Sequence, residues 1–329
     1  MLEDATGVGE FLGEMRDRTF KPHDAFTVGE VFNEKEEEIP DFIGDNGYFS
    51  SMFDFAQTSF GKSEKGWYDC KQITPDDYKR CCFHSQKRVG DIGFLSNIIE
   101  NHDEPRGVSY YIPEGDCCDT SKKMLAALYF MLKGLPFIYQ GQEMGMANCP
   151  WNSAEEFNDI STLNQYNLVQ QAGCTPEEAV QVVGEYSRDN ARTPFPWDDG
   201  PNAGFTTGKP WLKVNPSYTT VNAAAERQDP HSVLAYYKKL VALRKDPATS
   251  GPLGYGTITP CLLEYDDVIA YVREEQGQKI LVVNHFTSGD REVKLPYTVR
   301  KVLLTNYPDA DIRDDVLNLK PYQSVVAEI

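Results

Sequence analysis

The sequence is short of positive charge. Only 32 lysines and arginines stand against 50 aspartates and glutamates, a net charge of −18 over 329 residues. Nucleic acid and anionic membrane both select a cationic face that releases counterions, so neither is an expected partner and a neutral ligand fits better. Long apolar runs are missing too. The longest, residues 124–139, is interrupted by Lys133, Gly134 and Pro136, which argues against a membrane span. The N-terminal MLEDATGVGE lacks the charged-then-apolar build of a signal peptide, and the expected location is the cytoplasm.

Histidine is scarce. The five, at 23, 84, 102, 231 and 285, are scattered and form no HExxH, so a metal hydrolase is disfavoured and neither a metal nor a cofactor is expected. GxSxG is absent as well, which removes the nucleophile elbow of a serine hydrolase. Eight cysteines include the adjacent pairs Cys81–Cys82 and Cys117–Cys118, which match neither zinc spacing nor a small secreted disulfide framework. Reduced, structural thiols are the expectation.

What is present, 40% hydrophobic and 12% aromatic residues, suffices for a large domain and a small one. An amphipathic helix is expected over 9–20, with Phe11, Leu12 and Met15 on one face. A repeating order of strand, polar end and helix follows. Strands are expected within 25–32, 47–57, 94–103 and 135–143, and helices at 74–88, capped by Thr74, and 120–134, with Leu125, Leu128, Met131 and Leu132 as its apolar stripe. Such alternation implies parallel strands joined by right-handed crossovers. Residues 147–215 read as a long irregular insertion around one helix at 175–186, and 230–246 as a further helix. Beyond Pro247 short strands take over, with a hairpin turn at Gln276–Gly277 and a closing strand at 322–329. The expected division is a barrel-type unit at 1–249 and an antiparallel β domain at 250–329.

The chemistry concentrates at strand ends. Glu30 follows the first strand, and SNIIENHDEPRG (96–107) passes from Ile98 and Ile99 to Asn101, His102, Asp103, Glu104 and Arg106. In a parallel α/β barrel the reacting groups sit at these C-terminal ends. A carboxylate after a strand is also often just the N-cap of the next helix. Two carboxylates facing one cleft are what glycosidic-bond cleavage requires, an acid for the leaving oxygen and negative charge beside the oxocarbenium-like centre.

FTVGE at 26–30, NHDEPRG at 101–107, GLPFIYQGQEMGM at 134–146 and SRDNARTPFPWDDGPNAGF at 187–205, in that order, resemble the α-glucosidase and oligo-1,6-glucosidase branch of glycoside hydrolase family 13. The resemblance runs over essentially the whole chain. It implies a retaining α-glucosidase acting on short isomalto- or malto-oligosaccharides, and a fold made of the C-terminal half of a (β/α)8 barrel, strands 5 to 8, before the small β domain. Glu30 matches the general acid/base, which needs partial burial to hold its proton near neutrality. Asp103 matches the transition-state carboxylate, His102 the histidine that hydrogen-bonds the same sugar, and Arg188 the arginine at the non-reducing end. Arg106 and Arg192 are expected to tie loops to carboxylates.

Two positions depart from the family pattern. Pro196 stands before Trp197 where the branch often has Gln, and Glu104 follows Asp103 where many members carry Gln or an apolar residue; both bear on the subsite for the leaving sugar. The family's nucleophile, an Asp in a GFRxD-type motif one strand before the acid, has no counterpart, since neither Glu3 nor Asp4 sits in such a motif. The chain is therefore expected to be a fragment, inactive alone. Rival readings are a trehalose-6-phosphate hydrolase, which would need a cationic phosphate subsite, a sucrose isomerase, a catalytically dead transporter subunit, and a carbohydrate-binding module.

Overall fold

The computed structural model describes residues 7–329; Glu3 and Asp4 lie outside the described residues. Four short parallel strands, β1 (Val28–Gly29), β2 (Ser51–Phe53), β3 (Leu95–Asn97) and β4 (Leu135–Pro136), pair in the order β1-β2-β3-β4. The alternation read from the sequence is there, but each strand is much shorter than its apolar run. The ladders explain this. Register runs only from Val28↔Ser51 to Gly29↔Met52 at one edge and from Ser96↔Leu135 to Asn97↔Pro136 at the other, after which the chain leaves the sheet. Among the described residues β1 and β4 each pair on one side only.

The crossover helices start where their caps dictate. Thr74 accepts a bond from the Asp77 amide while the Asp77 carboxylate takes the Thr74 amide, a reciprocal box that opens the helix Pro75–Val89. Thr175 and Glu178 do the same for Pro176–Tyr186, and Ser232 caps Val233–Lys245. The helix Asp119–Phe130 differs from its sequence pattern. Residues 124–132 are buried without a break, so the expected stripe is a helix wrapped on all sides. Its outer side meets Ile269, Tyr271, Ile280, Val282 and Val326 of the C-terminal sheet, and the Tyr271 hydroxyl donates to Leu128 O at 2.7 Å.

That C-terminal sheet has five antiparallel strands. They are β5 (Thr257–Cys261), β6 (Val268–Glu275), β7 (Gln278–His285), β9 (Lys301–Thr305) and β12 (Ser324–Glu328), in the order β5-β6-β7-β12-β9. β8 (Arg291–Lys294), β10 (Asp311–Arg313) and β11 (Val316–Leu319) form a smaller sheet. Because side chains alternate along a strand, β6 sends Ile269 and Tyr271 to the helices and Val268, Ala270 and Val272 to Val293, Leu317 and Leu319 of the small sheet. Gln276 (φ 50°) and Gly277 (φ 80°) turn the β6–β7 hairpin, both left-handed as a type I′ turn requires.

Two further regions depart from the sequence reading. The N-terminal helix is Val8–Met15, continued by a wider turn over Arg16–Phe20, and it buries none of its residues; Phe11 is 64% exposed. The 147–215 insertion holds a second long helix beside the expected one. Ile160–Gln171 packs on Pro176–Tyr186 around Trp151, Phe157, Val169 and Val183. Its shallow apolar periodicity hides it, since only Thr162 and Val169 of that helix are buried. No helix among the described residues is long and apolar enough to cross a membrane.

Candidate active site

All four parallel strands point their C-terminal ends the same way, so Glu30 and the 98–107 segment emerge on one face. Glu30 and Asp103 belong to strands separated by β2, about 10 Å apart at ordinary strand spacing. Neither carboxylate is a helix cap. The helix Gly107–Tyr111 that follows β3 has Arg106 at its N-cap, and its Gly107 amide is taken by Glu100 at 2.6 Å; the helical turn after β1 is capped by Lys35.

Asp103 sits in a braced cluster. Its Oδ1 accepts from Arg192 Nη2 at 2.6 Å and from Arg188 Nη1 at 3.4 Å, and its amide donates to Asn101 Oδ1. Both arginines reach onward to Asp159. Arg188 grips Asp159 Oδ1 through Nε at 3.0 Å and Nη2 at 2.7 Å, and Arg192 Nη1 lies 3.6 Å from the same oxygen. Asp159 is buried and also receives the Thr162 amide and hydroxyl. Burial alone pushes its pKa up, but the Arg188 and Thr162 hydrogen bonds outweigh that and hold it below the usual carboxylate range. The same pairing raises Arg188. Among the described residues the Asp103 Oδ2 is left with only the His102 ring, at 3.5 Å, while the His102 carbonyl accepts from Arg192 Nε.

Beneath the cluster Arg106 is fully buried. It pairs with Glu100 at 3.0 Å and donates to Gln140 O, Asn190 O and Ala191 O, which joins the ends of β3 and β4 to the turn Asp189–Arg192 that presents Arg188 and Arg192. Glu104 is tied to Lys62 at 2.7 Å, and burial raises its pKa despite that lysine. Glu143, after β4, is raised by burial, and its Oε2 is enclosed without a hydrogen-bond partner. Asp54, after β2, is buried on the helix side, held by Ser85, Gln57 and the Ala56 amide.

Glu30 is the opposite case. It stands immediately after edge strand β1, is exposed, and makes no hydrogen bond or ion pair among the described residues. The partial burial expected for it is absent, because among the described residues β1 has a strand neighbour on one side only and nearby Phe26 and Phe32 are 60% and 54% exposed. Asp159 is the residue the sequence reading missed. Its only local signal is its place as N-cap before Ile160 and Thr162, inside the insertion read as irregular. Among the described residues no group of three or more His, Cys, Asp or Glu side chains could hold a metal ion.

Comparison with known proteins gives one consistent picture. Residues 2–250 match the alpha-amylase catalytic domain and residues 268–326 the alpha-amylase SusG C-terminal domain. A probable oligo-1,6-glucosidase of Bacillus subtilis (strain 168) is 37% identical over 326 residues, 97% of this chain and 57% of that protein. A trehalose-6-phosphate hydrolase of the same organism is 33% identical, covering 98% and 58%. Among solved structures, the trehalulose synthase MutB from Pseudomonas mesoacidophila MX-45 superposes with a TM-score of 0.91 at 34% identity, over 99% of this chain and 59% of that one. The chain thus spans somewhat more than half the length of the relatives it matches.

Proposed function

The chain belongs to the alpha-amylase family of glycoside hydrolases, and on that premise we propose that it carries the acid and sugar-gripping part of a retaining α-glucosidase site for short isomalto- or malto-oligosaccharides. On this reading the four parallel strands are strands 5 to 8 of a (β/α)8 barrel. Their order, common direction and the placing of the polar groups at their C-terminal ends support it. The observation that carries the functional reading is Asp103, whose Oδ1 is held by two arginines while Oδ2 faces outward beside His102. A carboxylate so fixed can accept sugar hydroxyl protons from one oxygen without moving, which is the preorganisation that transition-state stabilisation needs. His102 donates to the same sugar, Arg188 fixes its non-reducing end, and Glu30 is the acid/base, to be raised in pKa by whatever polypeptide covers β1.

Retaining chemistry also needs a nucleophilic carboxylate about 5–5.5 Å from the acid. Among the described residues the carboxylates nearest the ends of β2, β3 and β4, Asp103 apart, are engaged or enclosed: Asp54 by Ser85, Glu100 by Arg106, Glu104 by Lys62, and Glu143 in its half-buried site. The 329-residue chain by itself is therefore proposed to turn over no α-glucoside. Assay of the purified chain with p-nitrophenyl α-glucoside tests this; a rate that Glu30→Gln abolishes would overturn it. The substrate reading is tested in a protein that includes the rest of the barrel, by comparing isomaltose with trehalose 6-phosphate. The trehalose-6-phosphate hydrolase reading is kept because of the 33% identical relative, and faster turnover of the phosphorylated sugar would install it.

A further inference from the structure

We propose that two copies of this chain associate through the open edges of the parallel sheet, β4 of each beside β1 of the other. The inference rests on the reading of β1 to β4 as half of an eight-stranded barrel. Among the described residues neither edge has a strand partner, and an unpaired edge is a template for another chain. A twofold axis along the barrel sets β4 parallel to β1 of the second copy, twice over. Four strands and four then make eight, the number at which a parallel barrel closes around its own side chains, and closure ends the assembly at two copies.

Apolar surface collects at the same edges. Val8 and Phe11 of the N-terminal helix are 37% and 64% exposed, and Phe26 and Phe32, which flank β1, are 60% and 54% exposed. That helix buries none of its residues, so the apolar face expected of it has no cover among the described residues. On the other edge Ile138, two residues beyond β4, is 40% exposed. Exposed apolar groups clustered in this way, rather than scattered singly, mark an interface.

Charge selects a second copy as the occupant. Two chains of −18 repel unless opposite signs meet at the seam. Residues 24–46, around β1, carry eight acids against Lys35 alone, whereas the helix Val233–Lys245, which follows β4, has four bases and no acid. That helix packs on Asp119–Phe130, the crossover helix between β3 and β4, through Tyr237 against Phe130, and so stands next in line toward the open edge of β4. Arg244 is held by the carbonyls of Phe130, Leu132 and Gly134, but Lys238, Lys239 and Lys245 are exposed and make no ion pair among the described residues. A foreign basic or acidic segment would match one edge, while a second copy matches both at once. The arrangement covers Glu30 with the end of β4, where the nearest carboxylate, Glu143, has an enclosed Oε2, so the expectation of no turnover stands.

Sedimentation equilibrium of the purified chain tests this, with a plateau expected at twice 37.1 kDa. Phe11→Asp on the β1 side and the double variant Lys238→Glu/Lys239→Glu on the β4 side are each expected to weaken association about ten-fold or more, as loss of an apolar anchor or reversal of a complementary charge implies. All three positions are exposed, so the variants should fold, which far-UV circular dichroism checks. Tyr255→Asp, at an aromatic 72% exposed in the segment before β5 and away from both edges, should leave association within about two-fold of the parent. A monomer at about 100 μM, a mass that keeps rising beyond two copies, a variant at either edge that associates as tightly as the parent, or a Tyr255→Asp effect equal to that of Phe11→Asp would overturn the proposal. Mass is read without any sugar, so a monomer would overturn the dimer and leave the α-glucosidase reading to its own assays.

Discussion

The two sides of the candidate site are built to different standards. On the β3 side Asp103 is cross-braced by Arg188 and Arg192, these are anchored on buried Asp159, and Arg106 locks the layer beneath. On the β1 side Glu30 follows a two-residue edge strand, has no polar partner among the described residues, and has exposed Phe26 and Phe32 nearby. The charges on the β3 side are satisfied by partners inside this chain, while Glu30, the proposed acid/base, is left exposed. The braced side should therefore carry stability and the open side none, a difference that mutation measures.

The largest effect is expected at the base of the braced side. Arg106 and Glu100 have side chains 0% and 1% exposed, and Arg106→Met strands the carboxylate while cutting three carbonyl contacts. A loss of about 3–5 kcal/mol follows from an uncompensated buried charge, measured as the urea midpoint. A loss below about 1 kcal/mol would show that the two sides do not differ as argued.

Asp159→Asn should rank second, at about 2–3 kcal/mol, because Arg188 retains partial solvent access. The sign with pH is fixed by the lowered pKa. The stabilisation is fully present above the ordinary Asp value of about 3.9 and is lost as pH falls through the lower folded value. Wild type should thus lose stability more steeply than Asp159→Asn below about pH 4, and parallel pH profiles would remove Asp159 from the bracing. Asp54, between the two sides, gives the reverse sign. Burial raises it, and only neutral donors, Ser85, Gln57 and the Ala56 amide, oppose that, so its contribution is present at low pH and lost as pH rises through the folded value. Asp54→Asn should therefore raise the urea midpoint at pH 7 and lose that advantage at pH 4, a smaller shift than either loss above.

The same contrast explains what could be read from the sequence. Local rules were legible where a single residue type enforces them, as at Thr74 before its helix and at Gln276–Gly277 in the hairpin. The approximate places of β1 to β4 were legible from apolar runs, but not their lengths, because a strand ends where its neighbour's register ends rather than where its own apolar residues do. The full burial of Asp119–Phe130 was hidden for a related reason, since its second covering surface is a sheet formed more than a hundred residues later. In the site, Asp103 and Arg188 stood out within compact motifs. Asp159 did not, because it works through a contact 29 residues away in an insertion without strong periodicity.

The smallest expected effects test the comparison most directly. Asp103→Asn removes the negative charge that faces Arg192 and, at longer range, Arg188, yet both guanidiniums keep Asp159, and Asp103 itself is 36% exposed. Solvent screening then limits the loss to about 0.5–1 kcal/mol. Glu30→Gln touches no partner and should change stability by less than about 0.5 kcal/mol. If Glu30→Gln proves as costly as Asp103→Asn in urea denaturation of this chain, the open side is already structured by contacts of its own. If it is silent here but costs activity in a longer protein, the carboxylate acts only where further polypeptide covers β1. A stability difference between the two carboxamide variants thus measures how much of the site this chain assembles without help, before any substrate is added.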